Sequence, residues 1–164
     1  AERLGESDPW VLLHRAKLGV LKVRQAVEVP QKADEPNSLF QQAETALLAA
    51  GKPESVGWEF FEAEAELSFW HALFARREKK GDALVGEIIR TGLEYVGKGL
   101  SISPKEPSLL VWKAAFLLLS ARLIGGKEAE EEMSKGKRPM EDALQSNPFL
   151  RSFWGHIDAL IAKG

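Results

Sequence analysis

Residues 109–124 read LLVWKAAFLLLSARLI and are apolar on nearly every side of a helix, with Lys113, Ser120 and Arg122 as the only polar breaks. A helix that is apolar almost all round must be covered almost all round by other elements. Its longest unbroken apolar run, residues 114–119, is much shorter than the roughly 20 apolar residues that cross a bilayer. The stretch therefore predicts the central helix of an all-helical domain, with no membrane span.

Composition excludes several kinds of site and partner. The chain has no cysteine, which removes disulfides, thiolate metal sites and thiol nucleophiles. This composition suits a reducing compartment, so we expect a cytoplasmic protein. The 22 basic and 24 acidic residues leave a net charge of −2, too small to draw nucleic acid or an anionic membrane to the whole molecule. We therefore expect neither nucleic acid nor a membrane as partner.

Helix-end signals divide the first third of the chain. Asp8 followed by Pro9 predicts a helix start, and apolar residues at helical spacing continue it to about Val27. Asn37 or Ser38 is the expected cap of a second helix, and this helix is expected to end at Gly51. Residues 1–7 hold no apolar run that could be a signal-peptide core, and we expect a fragment of a longer chain.

Further helices follow on both sides of the central stretch. A long helix is predicted over residues 54–80, and Asp82 caps another with the clearest apolar stripe of the chain. Beyond residue 126 we expect one kinked helix or two short ones, because Pro139 interrupts the pattern. A terminal helix is predicted over residues 149–162. The fold class is therefore all-α, with seven or eight helices and no strand.

Two segments share one spacing of small residues, an aliphatic residue and a proline. They are Gly92-x3-Val96-x2-Gly99-x4-Pro104 and Gly136-x3-Met140-x2-Ala143-x4-Pro148. Small residues on one helix face let a neighbouring helix approach closely, the aliphatic side chain fills the remaining gap, and proline ends the helix. A tryptophan follows each helix-ending proline, and these three tryptophans are Trp58, Trp112 and Trp154.

This pattern resembles the second-helix half of the tetratricopeptide repeat, and Trp154 falls where that family places its first-helix aromatic residue. The spacing departs from the family: the prolines at 53, 104 and 148 are 51 and 44 residues apart, against a repeat of roughly 34 residues. In the first unit, Ala43, Leu47 and Ala50 keep the small-aliphatic-small pattern, but Pro53 follows too early.

The resemblance implies antiparallel helix pairs stacked as a short right-handed solenoid, whose first helices line a concave groove for a peptide or protein segment. It implies a single domain over residues 1–164, with units at about 8–53, 54–104 and 105–148 and a terminal helix at 149–162. Arrays of this family also form the C-terminal part of larger bacterial signalling proteins, including serine/threonine kinases, which would suit a fragment that begins at Ala1.

The candidate partner-binding residues lie on the predicted first helices and are basic or aromatic: Lys113, Trp70, His71, Arg76, Arg15 and Arg122. Lys113 shares one side of an otherwise apolar helix with Ser120, so we expect it to face a groove rather than the core. Trp70, beside His71, is the expected groove aromatic. The predicted function is a non-catalytic protein–protein interaction scaffold with a protein or peptide partner.

Two other functions stay open. The chain could be an intramolecular regulatory or dimerisation module whose partner is the rest of its parent protein. It could also be a small-molecule or metal-binding domain that uses Glu62, Glu66 and His71, although the Glu-x-x-His pairs of di-iron bundles are missing. The sequence lacks a phosphate loop, a zinc-protease motif and a glycine-flanked nucleophile serine, so we expect no enzyme activity and no cofactor. It leaves open whether the terminal helix fills the groove.

Overall fold

The computed structural model describes residues 8–29, 35–51 and 56–163, which are almost entirely helical and contain no β-strand. Seven helices lie in this described part. They are α1 (Pro9–Glu28), α2 (Glu35–Ala50), α3 (Trp58–Arg77), α4 (Asp82–Ile102), α5 (Pro107–Ile124), α6 (Gly126–Ser146) and α7 (Leu150–Lys163). The predicted all-α class with seven or eight helices is confirmed.

Helices α1 and α5 both begin with an acidic cap residue followed by proline. The Asp8 carboxylate accepts hydrogen bonds from the backbone N–H groups of Trp10 at 2.8 Å and Val11 at 3.3 Å, and Pro9 takes the first helical position. Glu106 caps α5 in the same way, with proline at the first position of that helix. Because the first backbone N–H groups of a helix have no partner inside it, an acidic cap followed by proline leaves fewer of them unsatisfied.

Two predicted helix ends are wrong in detail. Asn37 and Ser38 lie inside α2 rather than capping it, because Pro36 is accepted in the first turn, where its missing N–H is not needed. Asp82 is the first helical residue of α4, and the cap is Gly81, whose φ of +100° favours glycine. Of the two alternatives expected beyond residue 126, one helix or two short ones, the structure has one helix, α6, which packs along α5 with Pro139 inside it.

Consecutive helices pack in pairs, α1 with α2, α3 with α4 and α5 with α6. Short connections make the members of each pair antiparallel. The first helices of the pairs also touch in order, α1 against α3 and α3 against α5, and α7 packs on α5 and α6. The three pairs lie within the residue ranges of the three predicted units, and α7 follows them.

Three glycines allow α4 and α6 to approach α5 closely. A Cβ atom at Gly92 would lie 2.1 Å from Cζ of Phe116, and one at Gly99 would lie 2.7 Å from Cδ1 of Leu109. Between α6 and α5, a Cβ atom at Gly136 would lie 3.3 Å from Cβ of Leu117. The predicted role of these small residues in close helix approach is confirmed.

Helix α5 lies at the centre of the packing, in contact with α3, α4, α6 and α7. Its Leu109, Phe116 and Leu119 side chains are fully buried. Within the described part of the chain, α5 is the one helix long and apolar enough to cross a membrane by length and composition, and half of its residues are buried inside the structure. The expectation of a central helix covered by its neighbours agrees with this packing.

Candidate functional site

The terminal helix α7 lies against the first helices α1, α3 and α5, on the side where a peptide groove was expected. The Phe153 ring is 5.5 Å from the Trp112 ring of α5, and Arg76 of α3 donates a hydrogen bond to the Ile161 carbonyl oxygen at 3.1 Å. Ile157 and Ile161 are buried in the main core. The chain therefore covers part of its first-helix side with its own last helix.

A polar cluster ties α7 to α1 and α3. The Nε atom of Arg24 donates to Oε1 of Glu28 at 2.8 Å, and Nε2 of His156 lies 2.9 Å from the same oxygen. The Arg24 guanidinium carbon is 5.6 Å from the ring centroids of both Trp70 and Phe153. Burial alone would raise the pKa of Glu28, but the hydrogen bonds and positive charges of His156 and Arg24 outweigh it and lower that pKa.

Trp70 belongs to this cluster and is not a groove aromatic. Its side chain is fully buried, its Nε1 donates to Oε1 of Glu66 at 3.3 Å, and its ring packs edge-on against Phe69 at 5.3 Å. Arg24 lies over its ring. The prediction that Trp70 would face an open groove is therefore corrected, because its neighbours leave no part of the ring accessible to a partner.

Lys113 also lies elsewhere than expected. Leu109 and Phe116 of α5 face the glycines of α4, whereas Ala114 and Leu117 face Gly136 of α6. The period of 3.6 residues per turn places Lys113 and Ser120 between these two sides. Lys113 is thus half-buried between α4 and α6, not on the side of α1 and α3.

The other predicted residues do not form one site with these two. Arg15 and Arg122 are exposed, and Arg76 is held by its bond to α7. His71 is half-buried on α3, with its ring 4.7 Å from the Phe40 ring of α2. Of the six residues, His71 alone lines an open cleft between α2 and α4.

That cleft, here called the α2–α4 cleft, has a volume of about 460 Å³ and lies between α2 and α4 with α3 as its floor. Leu48 is 78% exposed and Leu84 is 40% exposed, although both side chains are large and apolar. The lining combines apolar, polar and acidic side chains: Leu48, Leu67, Leu84 and Ile88; Ser68, His71, Thr91 and Tyr95; Glu44, Glu64 and Glu87.

Sequence reasoning missed most of these lining residues. One signal was present, since Leu48 stands next to Leu47 but off the buried stripe of Ala43, Leu47 and Ala50. An apolar side chain outside the buried stripe of its own helix has to be explained by something other than the core. No comparable signal marks Glu44 or Glu87, because a glutamate on an exposed helix face is ordinary.

The formal charges on the lining of the α2–α4 cleft are all negative. Burial lowers the pKa of His71, against the charge of nearby Glu44, so its ring is neutral at neutral pH. Burial raises the pKa of Glu64 to about 7; the charge of Glu44 adds to the rise and Lys98 opposes it. None of Glu44, Glu64 and Glu87 forms an ion pair with another described residue.

The residues of the metal-binding hypothesis lie on different sides of α3. Glu62 pairs with Lys17 of α1 at 2.9 Å, and Glu66 accepts the bond from Trp70. His71 instead lines the α2–α4 cleft. Within residues 8–29, 35–51 and 56–163, no group of three or more His, Asp and Glu side chains could hold a metal ion.

A smaller cleft of about 310 Å³ lies between α5, α6 and α7, with both methionines and Trp154 in its lining. Its charged lining residues, Lys137 and Glu141, form a pair at 3.9 Å. Since these opposite charges face each other, this cleft presents no net charge to a partner.

Comparison of the chain with known protein families, curated proteins and solved structures gives no match in any of the three. The resemblance to tetratricopeptide repeats therefore stays a prediction from the sequence. A function has to be argued from the surfaces of this chain.

Proposed function

We propose that this chain is a non-catalytic protein–protein interaction domain that binds a segment of another protein in the α2–α4 cleft. The exposure of Leu48 and Leu84 on opposite walls of one cleft is the observation that carries the proposal. Large apolar side chains in contact with water at a concave surface are typical of binding sites, because covering them is favourable.

The proposal keeps the stacked helix pairs of the tetratricopeptide-like expectation but moves the partner to another surface. Support for stacking comes from the contact order, since α1, α3 and α5 touch in sequence while each packs with its own second helix. In a right-handed solenoid of this kind, α7 would be a terminal cap. The first-helix side would then be closed by α7, which leaves the α2–α4 cleft for a partner.

A second candidate is an intramolecular regulatory module of a larger signalling protein, and the position of α7 favours it. Helix α7 reaches the first helices through two buried isoleucines and through side-chain contacts with Glu28 and Arg76. A segment of the parent chain could replace α7 on this side. The absence of cysteine fits the cytoplasm as the compartment for either function.

An affinity enrichment from the source cell's lysate tests the first proposal with Leu48→Glu as the disabling change. Leu18→Glu is the matched control, because Leu18 is 60% exposed on α1 and lies outside the cleft. We expect a protein that the wild-type chain and Leu18→Glu retain and Leu48→Glu loses, with all three chains equally helical by circular dichroism.

Retention of the same proteins by Leu48→Glu would contradict the α2–α4 cleft as the binding surface. Ile157 is a fully buried residue of α7, so Ile157→Ala should loosen this helix. A partner that binds Ile157→Ala more tightly than wild type would support the regulatory module instead.

A further inference from the structure

One wall of the α2–α4 cleft is a single face of α4. Leu84, Ile88, Thr91 and Tyr95 of α4 follow one another at spacings of four, three and four residues along one side of the cleft. At a rise of 1.5 Å per residue this side is about 17 Å long, which is about three helical turns. Glu44 and Leu48 of α2 form the opposite wall.

Each element of this groove contributes one carboxylate. Glu44 comes from α2, Glu64 from the floor helix α3 and Glu87 from α4, and no lysine or arginine of the described residues lines the cleft. The charged groups that act on the lining from nearby positions are Lys80, Glu94 and Lys98. These three carboxylates, which form no ion pair with a described residue, lie beside exposed leucines and are complementary to a surface that is both apolar and cationic.

We infer that the occupant of the α2–α4 cleft is a basic amphipathic helix of about three turns from a partner protein. Its apolar side chains contact Leu48, Leu84 and Ile88, and its lysines or arginines contact the three carboxylates. This inference rests on the proposed function and adds the chemistry of the partner. A helix with an acidic face is rejected, because like charges would meet across the groove.

The groove also makes this binding depend on pH. The pKa of Glu64 is raised to about 7, so the carboxylate gains its full charge only as the pH rises above that value. A partner cation favours the charged form of Glu64. As the pH rises, His71 also loses any positive charge that would repel the cation. Tyr95 stays neutral over this range, because burial and the nearby carboxylates raise its pKa. Binding therefore strengthens between about pH 6 and pH 8.

Fluorescence anisotropy with three synthetic helical peptides tests the inference. Each peptide of about 14 residues carries leucines on one face, and lysine, glutamine or glutamate fills its polar face. The disabled protein is Glu44→Gln/Glu64→Gln/Glu87→Gln. The matched control is Glu128→Gln/Glu130→Gln/Glu131→Gln at exposed positions of α6, which removes the same number of carboxyl groups.

We expect the lysine peptide to bind the wild-type and control proteins with equal affinity and to bind the cleft variant about tenfold or more weakly. Its affinity for the wild-type protein should be higher at about pH 8 than at about pH 6. Equal losses in both triple variants would overturn the inference, since the net charge alone would then explain binding. Failure of all three peptides to bind would overturn it too, while the lysate experiment decides the proposed function separately.

The glutamine peptide separates the two ideas further. If it binds as tightly as the lysine peptide and is lost in Leu48→Glu, the cleft binds a helix but does not select a cation. That result would contradict the inference and leave the proposed function standing.

Discussion

The contact of Gly92 with Phe116 sets how closely α4 approaches α5. A Cβ atom at Gly92 would lie within 2.1 Å of the buried ring, whereas one at Gly97 on the same helix has nothing within 4 Å. We expect Gly92→Ala to lower the free energy of unfolding by about 1–3 kcal/mol through overpacking. Gly97→Ala should raise it by up to about 1 kcal/mol, because alanine favours a helix more than glycine does.

Urea unfolding followed by circular dichroism measures both changes. A stabilising Gly92→Ala would mean that α4 and α5 are farther apart than the structure shows.

Glu64 predicts a pH dependence of stability whose sign follows from its raised pKa. The folded chain holds the proton up to about pH 7, whereas the unfolded chain loses it near the ordinary glutamate pKa of 4.5. Between these values the folded state binds more protons, so stability falls as the pH rises through the window. Glu64→Gln removes this loss, and its melting temperature should exceed that of wild type at about pH 8 but not near pH 4.5.

The exposed Glu130 supplies the control for this experiment. Glu130→Gln should change the melting temperature equally little at both pH values. A Glu64→Gln effect that does not vary with pH would show that Glu64 titrates as an ordinary surface carboxylate.

Single residues were predictable from the sequence where a local rule governs them. The Asp8 cap and the roles of Gly92, Gly99 and Gly136 need only helix geometry and the absence of a side chain. Trp70 and Lys113 were placed wrongly because the side of a helix that is covered depends on which helices arrive there. Both residues lie on helices with apolar residues on most sides, so periodicity alone did not decide the question.

At the scale of one element, α7 is the helix whose attachment is most open to test. Its residue Ile157 is fully buried, whereas Ile102 at the end of α4 is 50% exposed. Ile157→Ala should lower the free energy of unfolding by about 2–4 kcal/mol, because the core loses apolar contact and gains a cavity. Ile102→Ala should cost less than about 1 kcal/mol.

Hydrogen exchange separates a loosened α7 from a general loss of stability. The amide groups of α7 should exchange faster in Ile157→Ala than those of α4. Equal acceleration in both helices would contradict the view that α7 is a separately attached cap.

Most elements were predictable, since each follows from the apolar pattern within its own residues. The stripe of α4 identified that helix, and its buried members are Val85, Ile89, Gly92, Val96 and Gly99. Helix ends were less predictable where two residues competed for one role, as Gly81 and Asp82 do before α4. Proline at residue 139 did not divide α6, because tertiary packing on α5 outweighs a local break.

At the scale of the whole molecule, the sequence indicated helix pairing but not the candidate site. The contact between His156 and Glu28 joins residues 128 positions apart, and no local pattern predicts it. The α2–α4 cleft is assembled from three helices, so its carboxylates become neighbours only after folding. Helix α7 comes from the far end of the chain, so its cover over part of the first-helix side was not predictable from local patterns either.

The central claim is that a partner covers the α2–α4 cleft rather than the side that α7 occupies. The natural chain has no cysteine, so single introduced thiols report on chosen positions. The most direct measurement is the alkylation rate of Leu48→Cys, Leu18→Cys and Ser152→Cys, each with and without the protein retained by wild type. All three positions are exposed: residue 48 lies in the cleft, residue 18 on α1 and residue 152 on α7. We predict that the partner slows alkylation at residue 48 alone. Protection at residue 152 with none at residue 48 would contradict it.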